Sequence, residues 1–136
     1  MIRPSRIIAL GGLAFLAASC RSFEPGVALV GTWGGQDISL ELTATGGTIS
    51  HGCAGGSLAE PLVPDNSGRV HATGEEVAGM GAPPPPGYIP PRYAVRYDGR
   101  VDGNRLTLTV TPIDNPSLAA KYTAVRGRAP QIYYCP

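Results

Sequence analysis

Two histidines, His51 and His71, and the adjacent acids Glu75 and Glu76 are the side chains of this 136-residue chain best suited to moving a proton or holding a metal. A closed zinc site needs four ligands, and the His-x-Cys pair His51 and Cys53 supplies two, with no spacing elsewhere that completes the set. In a strand, His51 and Cys53 would share one face, the arrangement of a thiol beside a base. A nucleophile of that kind also needs a third group to orient the base, and none is identifiable. Glu75 and Glu76 adjoin a turn and fall on opposite faces of a strand, so they are read as solvated side chains rather than a carboxylate pair. Gly11-Gly12, Gly46-Gly47 and Gly55-Gly56 do not stand between a strand and a helix, as a phosphate-binding loop does, and no Gly-x-Ser-x-Gly elbow occurs. The expectation is a protein without catalytic residues, metal or cofactor, and not an enzyme.

Tyrosine offers binding chemistry instead, because it joins a large apolar face to a hydrogen-bonding tip. All six tyrosines lie in the C-terminal half, and Tyr88, Tyr93, Tyr97 and Tyr122 are the candidate ligand or partner contacts, with strand interior as their ordinary alternative. Tyr88 belongs to a segment, residues 78–91, that holds Pro83 to Pro86 in series plus Pro90 and Pro91. So many prolines cannot supply the amide donors of a central strand. The segment is read as a loop of polyproline II character, either docking into a partner or lying as a stiff connector across a barrel mouth.

The N-terminus reads as an address. Arg3 and Arg6 precede an uncharged run from Ile7 to Ala18, followed by Ser19 and Cys20. This is the basic, apolar and small-residue order of a signal peptide, and the run is shorter than the roughly 20 residues that span a bilayer as a helix. Ala17-Ala18-Ser19-Cys20 resembles the lipobox of bacterial lipoprotein precursors, with Leu16 one place earlier than the family's preferred leucine. The resemblance covers the first 20 residues and implies a diacylglyceryl group on Cys20. Ordinary cleavage after a small-x-small pattern would cut at nearly the same bond. Arg21 after the cysteine implies outer-membrane delivery, facing the periplasm, in a host with two membranes.

Export also organises the cysteines. With Cys20 lipidated, Cys53 and Cys135 are left as a pair that an oxidising compartment would join. Closing a loop of roughly 80 residues would stabilise the fold by about 4–5 kcal/mol on a chain-entropy basis. Charge excludes one class of partner. The whole chain carries a formal +1, and removal of residues 1–19 leaves nine basic against ten acidic groups, so nothing marks a nucleic-acid surface.

The elements that would carry these residues are strands. Ile38, Leu40 and Leu42 alternate with polar neighbours over 36–43, and Leu106, Leu108 and Val110 do so over 105–111, the period of a half-buried strand. No comparable helical stripe is present. Strands are predicted over 29–34, 36–43, 47–54, 57–63, 68–76, 92–101, 104–112, 119–126 and 130–135. Turns are read at Thr45-Gly46-Gly47, Gly55-Gly56, Asp65 to Gly68 and Asp102-Gly103-Asn104. Eight or nine strands with short connections form an antiparallel meander, and closure into a barrel of about eight strands removes the exposed edges. Residues 1–19 are thus assigned as leader, 20–27 as tether, and 28–136 as an all-β barrel domain.

Gly31-Thr32-Trp33 and Thr123-Ala124-Val125-Arg126-Gly127 resemble the calycin and lipocalin barrels, in which a Gly-x-Trp on the first strand packs beneath an arginine of the last. The resemblance implies that Trp33 and Arg126 close one end. It departs from the lipocalins in the short chain and in the absence of a recognisable helix after the barrel. Across the mature chain the pattern is also similar to small exported bacterial proteins, which implies a fold and no mechanism. The expected function is binding: a small apolar ligand taken through the open end, or, as the alternative, an envelope protein or enzyme held by the Pro/Tyr-rich loop. An open lumen would favour the ligand, and an interior filled by side chains would leave only outer surfaces.

Overall fold

In the computed structural model, which describes residues 11–12, 23–80 and 82–133, the alternating segments form strands whose apolar members all face one interior. Eight strands follow in order: β1 (Gly31–Gly35), β2 (Ile38–Thr43), β3 (Gly46–His51), β4 (Ala54–Leu58), β5 (Arg69–Ala78), β6 (Arg92–Asp102), β7 (Arg105–Pro112) and β8 (Ala120–Arg126). Each pairs antiparallel with the next and β8 returns to β1, so the sheet is a closed eight-stranded meander barrel, consistent with a calycin-like fold. The β1–β8 seam is short. It consists of Trp33 opposite Arg126 and Gly34 opposite Val125.

The interior is filled along its height. Ile38, Leu40, Ile49, Val95, Val101, Leu106, Leu108 and Ala124 are buried, together with Trp33 and Tyr97. One end is closed by the segments before β1 and between β4 and β5: the Leu29 amide donates to Leu62 O (2.8 Å), the Gly26 amide donates to Pro64 O (2.9 Å), and Leu62 is wholly buried. Trp33 is buried toward that end. Its Nε1 donates to Val30 O (3.3 Å), and the exposed Arg126 guanidinium lies 4.8 Å over the ring. At the opposite, open end lie the β1–β2 and β3–β4 turns, the Pro-rich connection after β5, and the segment between β7 and β8, which includes a single 3-10 turn at Pro116–Leu118.

Several strand boundaries depart from expectation for identifiable reasons. The β3–β4 turn falls at Gly52-Cys53, where Gly52 adopts φ +51, and not at Gly55-Gly56. Those two glycines lie inside β4, which is therefore Ala54–Leu58 and not 57–63. A Cβ on Gly56 would come within 2.8 Å of Glu76 Cγ and collide with the Glu75 carbonyl oxygen, so the glycine accommodates a close neighbouring strand rather than a turn. Gly46 and Gly47 likewise belong to β3. At the C-terminus no strand runs over 130–135 among the described residues. The chain turns at Gly127 and crosses back over Gly34, and Gln131 makes one isolated parallel bridge with Gln36. Pro130 has no amide donor with which to extend that pairing.

Candidate functional site at the open end

The alternation that sends Val70, Ala72 and Gly74 inward along β5 sends Glu76 inward too, with only 1% of its surface exposed. The expectation that Glu76 is solvated is thus corrected: β5 continues to Ala78, so this acid lies within the barrel wall and not at a turn. Its neighbour Glu75 does face out, 3.9 Å from Arg92. Three elements bring donors to the buried carboxylate. His51, the last residue of β3, places Nε2 at 2.8 Å from Oε1 and 2.9 Å from Oε2. From β6, the Tyr97 hydroxyl donates to Oε1 (2.7 Å) and the Tyr93 hydroxyl to Oε2 (3.3 Å).

Burial alone would raise the Glu76 carboxyl above its ordinary value, but the hydrogen bonds from His51 and Tyr97 outweigh it and hold the group low. The carboxylate is therefore ionised and purely an acceptor, so His51 Nε2 carries the proton. In the neutral ring His51 Nδ1 is then an acceptor for the Tyr122 hydroxyl of β8, at 3.1 Å. Burial and the Glu76 charge push Tyr93 up to about 12, and burial and the Glu76 hydrogen bond push Tyr97 higher still. Tyr122 is raised by burial and by the charges of Asp37 and Glu76. All three phenols stay protonated. The chain Glu76, His51, Tyr122 thus directs the Tyr122 hydroxyl proton to His51 and leaves the hydroxyl oxygen as a hydrogen-bond acceptor, not an activated phenolate. Asp37, in the β1–β2 turn at φ +59, adds a buried Oδ1 that has no partner among the described residues.

Large apolar side chains are exposed around the same end. The sequence Pro85-Pro86-Gly87-Tyr88 makes a type II turn, with Gly87 at φ +80 and the Tyr88 amide donating to Pro85 O (3.1 Å). It displays Tyr88 and Ile89, the latter 86% exposed. Met80, Ile113 and Leu118, the last 64% exposed, stand on neighbouring connections. Two clefts open among them and meet at Ala78. One of about 440 Å³ is lined by Ala78, Met80, Ala82, Pro83, Pro84 and Pro90. The other, about 290 Å³, is lined by Ala78, Tyr93, Ala94, Pro112, Asp114, Asn115 and Leu118.

Of the candidate contacts, Tyr93, Tyr97 and Tyr122 converge on one cluster, whereas Tyr88 stands on the loop. His71 is not part of the cluster. It projects outside the barrel and bonds Asp98 (2.6 Å), which also accepts from Arg96 (2.7 Å). No group of three or more His, Cys, Asp or Glu suited to a metal occurs among the described residues. Cys53 occupies the β3–β4 turn beside His51, while Cys20 and Cys135 lie outside the described residues. Glu76, His51 and Asp114 are the site residues that sequence reasoning missed or set aside. The signal for Glu76 was its phase with Val70 and Ala72, whereas Asp114 follows only from the course of the chain after β7. No family model matches the chain, and no curated protein or solved structure does so either.

Proposed function

We propose that this chain is an exported, lipid-anchored protein of the cell envelope that binds a small apolar ligand at the open end of its barrel without transforming it. One observation carries the reading. Exposed apolar side chains of the Pro-rich loop and of the β7–β8 connection surround two adjoining clefts at one end, where isolated exposure would need no explanation. Because side chains fill the interior, the ligand seat is the mouth rather than a lumen. The order Arg3, Arg6, apolar run and Cys20 supports export and lipidation. Phe23 packs near Gly68 at the closed end, so a tether from Cys20 would turn the open end away from the membrane.

The reading includes a Cys53–Cys135 disulfide. Cys53 is engaged rather than free. The Asp37 amide donates to Gln131 O (2.7 Å), and the Gly52 amide donates to Asp37 O (3.3 Å), which brings the C-terminal strap beside the turn that bears Cys53. The four residues from Gln131 to Cys135 reach up to about 14 Å when extended. The alternative, a protein-interaction or enzyme-inhibitor module, draws on Tyr88 and Ile89, which project from the loop tip instead of lining either cleft.

The test begins with protein purified from membranes. Its intact mass is expected to include a diacylglyceryl group, with two thiols alkylated only after reduction. An organic extract is expected to contain a small molecule that the Leu118→Asp variant does not retain. An extract empty for both proteins, together with co-purification of an envelope protein lost on Ile89→Asp, would replace the ligand reading with the alternative.

A further inference from the structure

Resting on the mouth as a ligand seat, the charges around the smaller cleft specify what the ligand carries. Ala78, Ala94, Pro112 and Leu118 give it apolar walls, and the Tyr93 hydroxyl is committed to Glu76, which leaves ring rather than hydroxyl as that residue's offering. Among the described residues, Asp114 is the one charged residue on the lining, and it forms no ion pair there. Among the described residues, no Lys, Arg or His lines either cleft. Arg92, at the start of β6, is directed to Glu75 on the outer wall. Behind Tyr93 stands the second charge that the cleft senses, the buried Glu76 carboxylate. Both charges are negative. An anionic head placed here would meet two carboxylates and no counter-charge, whereas a cation would meet an unpaired carboxylate and an aromatic ring, the combination that suits ammonium groups.

We propose that the cleft formed by Tyr93, Pro112, Asp114 and Leu118 binds an amphiphile with a cationic, alkylammonium-type head, its apolar tail running past Ala78 into the cleft beneath the Pro-rich loop. The smaller cleft alone is at the lower edge of the range of about 300–1,000 Å³ usual for small-molecule sites, and the adjoining one extends it for a chain. The polar head lies at the exposed Asp114 and the tail against Met80 and Pro83, so the two ends of the ligand meet the matching ends of the groove.

The experiment is calorimetric titration of the full mature chain with dodecyltrimethylammonium and with dodecanoate, each below its micelle concentration. The ammonium is expected to bind at least about tenfold more tightly. Asp114→Asn is expected to bring the two ligands within about threefold of each other, at an unchanged urea midpoint because Asp114 is exposed. Leu118→Ser should weaken both alike. Equal binding of the two amphiphiles by the wild-type chain, or a preference that survives Asp114→Asn, would overturn the cationic head and leave the apolar seat standing. Failure of either amphiphile to bind would remove the seat itself.

Discussion

A carboxylate with almost no exposed surface persists at position 76 because His51, Tyr93 and Tyr97 supply donors to both of its oxygens. Glu76→Ala leaves those buried donors unpaired and is expected to cost about 3–5 kcal/mol, since each unsatisfied buried polar group costs about 1–3 kcal/mol. Glu76→Gln keeps the volume and one acceptor and should cost about 1–3 kcal/mol. The sign of the pH effect follows from the lowered folded value. Stability from Glu76 is fully present above the unfolded carboxyl value of about 4.3 and is lost as pH falls through the lower folded value. The wild-type urea midpoint should therefore drop on acidification below about pH 4.5, and Glu76→Gln should flatten that decline. Glu60 and Asp98 are also held low, by hydrogen bonds from Thr73 and, against burial, from His71 and Arg96, so some slope remains in the variant. An acid limb identical in the two proteins would mean that Glu76 is not ionised in the fold.

At the scale of elements, β4 is the strand that brings the polar cluster together. Its Gly56 lies opposite Glu76, and Gly74 on β5 leaves room for the Tyr97 ring, 2.9 Å from where its Cβ would stand. Large side chains on one strand thus occupy the space that glycines leave on the next. Gly56→Ala is expected to destabilise the barrel by about 1–3 kcal/mol, because the new methyl overlaps main chain that cannot rotate aside. It should also disturb the His51 ring resonances in an NMR spectrum, since Glu76 must shift; an unaltered His51 signal would show that the network does not depend on this close approach. Gly55-Gly56 resembles a turn on paper, and only the pairing of β4 with β5 shows that small residues are needed mid-strand. The strands with strict alternation, β2 and β7, were legible because period two with β-branched and leucine residues has one simple solution. Glu76 was misread because its charge outweighed its phase. The convergence of His51, Glu76 and Tyr122 could not be read from residues so far apart in the chain, since strand order and register decide it.

For the whole molecule, the β1–β8 seam consists of only two residue pairs, so packing around Trp33 is expected to add to closure beyond the hydrogen bonds of the seam. Trp33 is almost wholly buried, whereas Arg126 above it is exposed to solvent. These environments separate two contributions that the Gly-x-Trp resemblance combines. Trp33→Ala removes the largest interior side chain and should lower stability by about 3–5 kcal/mol. Arg126→Ala removes an exposed cation–π contact and should cost about 0.5–1 kcal/mol. Urea unfolding of both variants distinguishes the cases: the midpoint should move several-fold further for Trp33→Ala, with the slope of the wild type retained if the barrel still unfolds as one unit. A lower slope for Trp33→Ala would indicate that the β1–β8 seam has opened in the folded state and less surface remains to be exposed. Equal midpoint losses would place the closing energy in the arginine–indole contact, and the short seam would then depend on a group that solvent and salt can weaken.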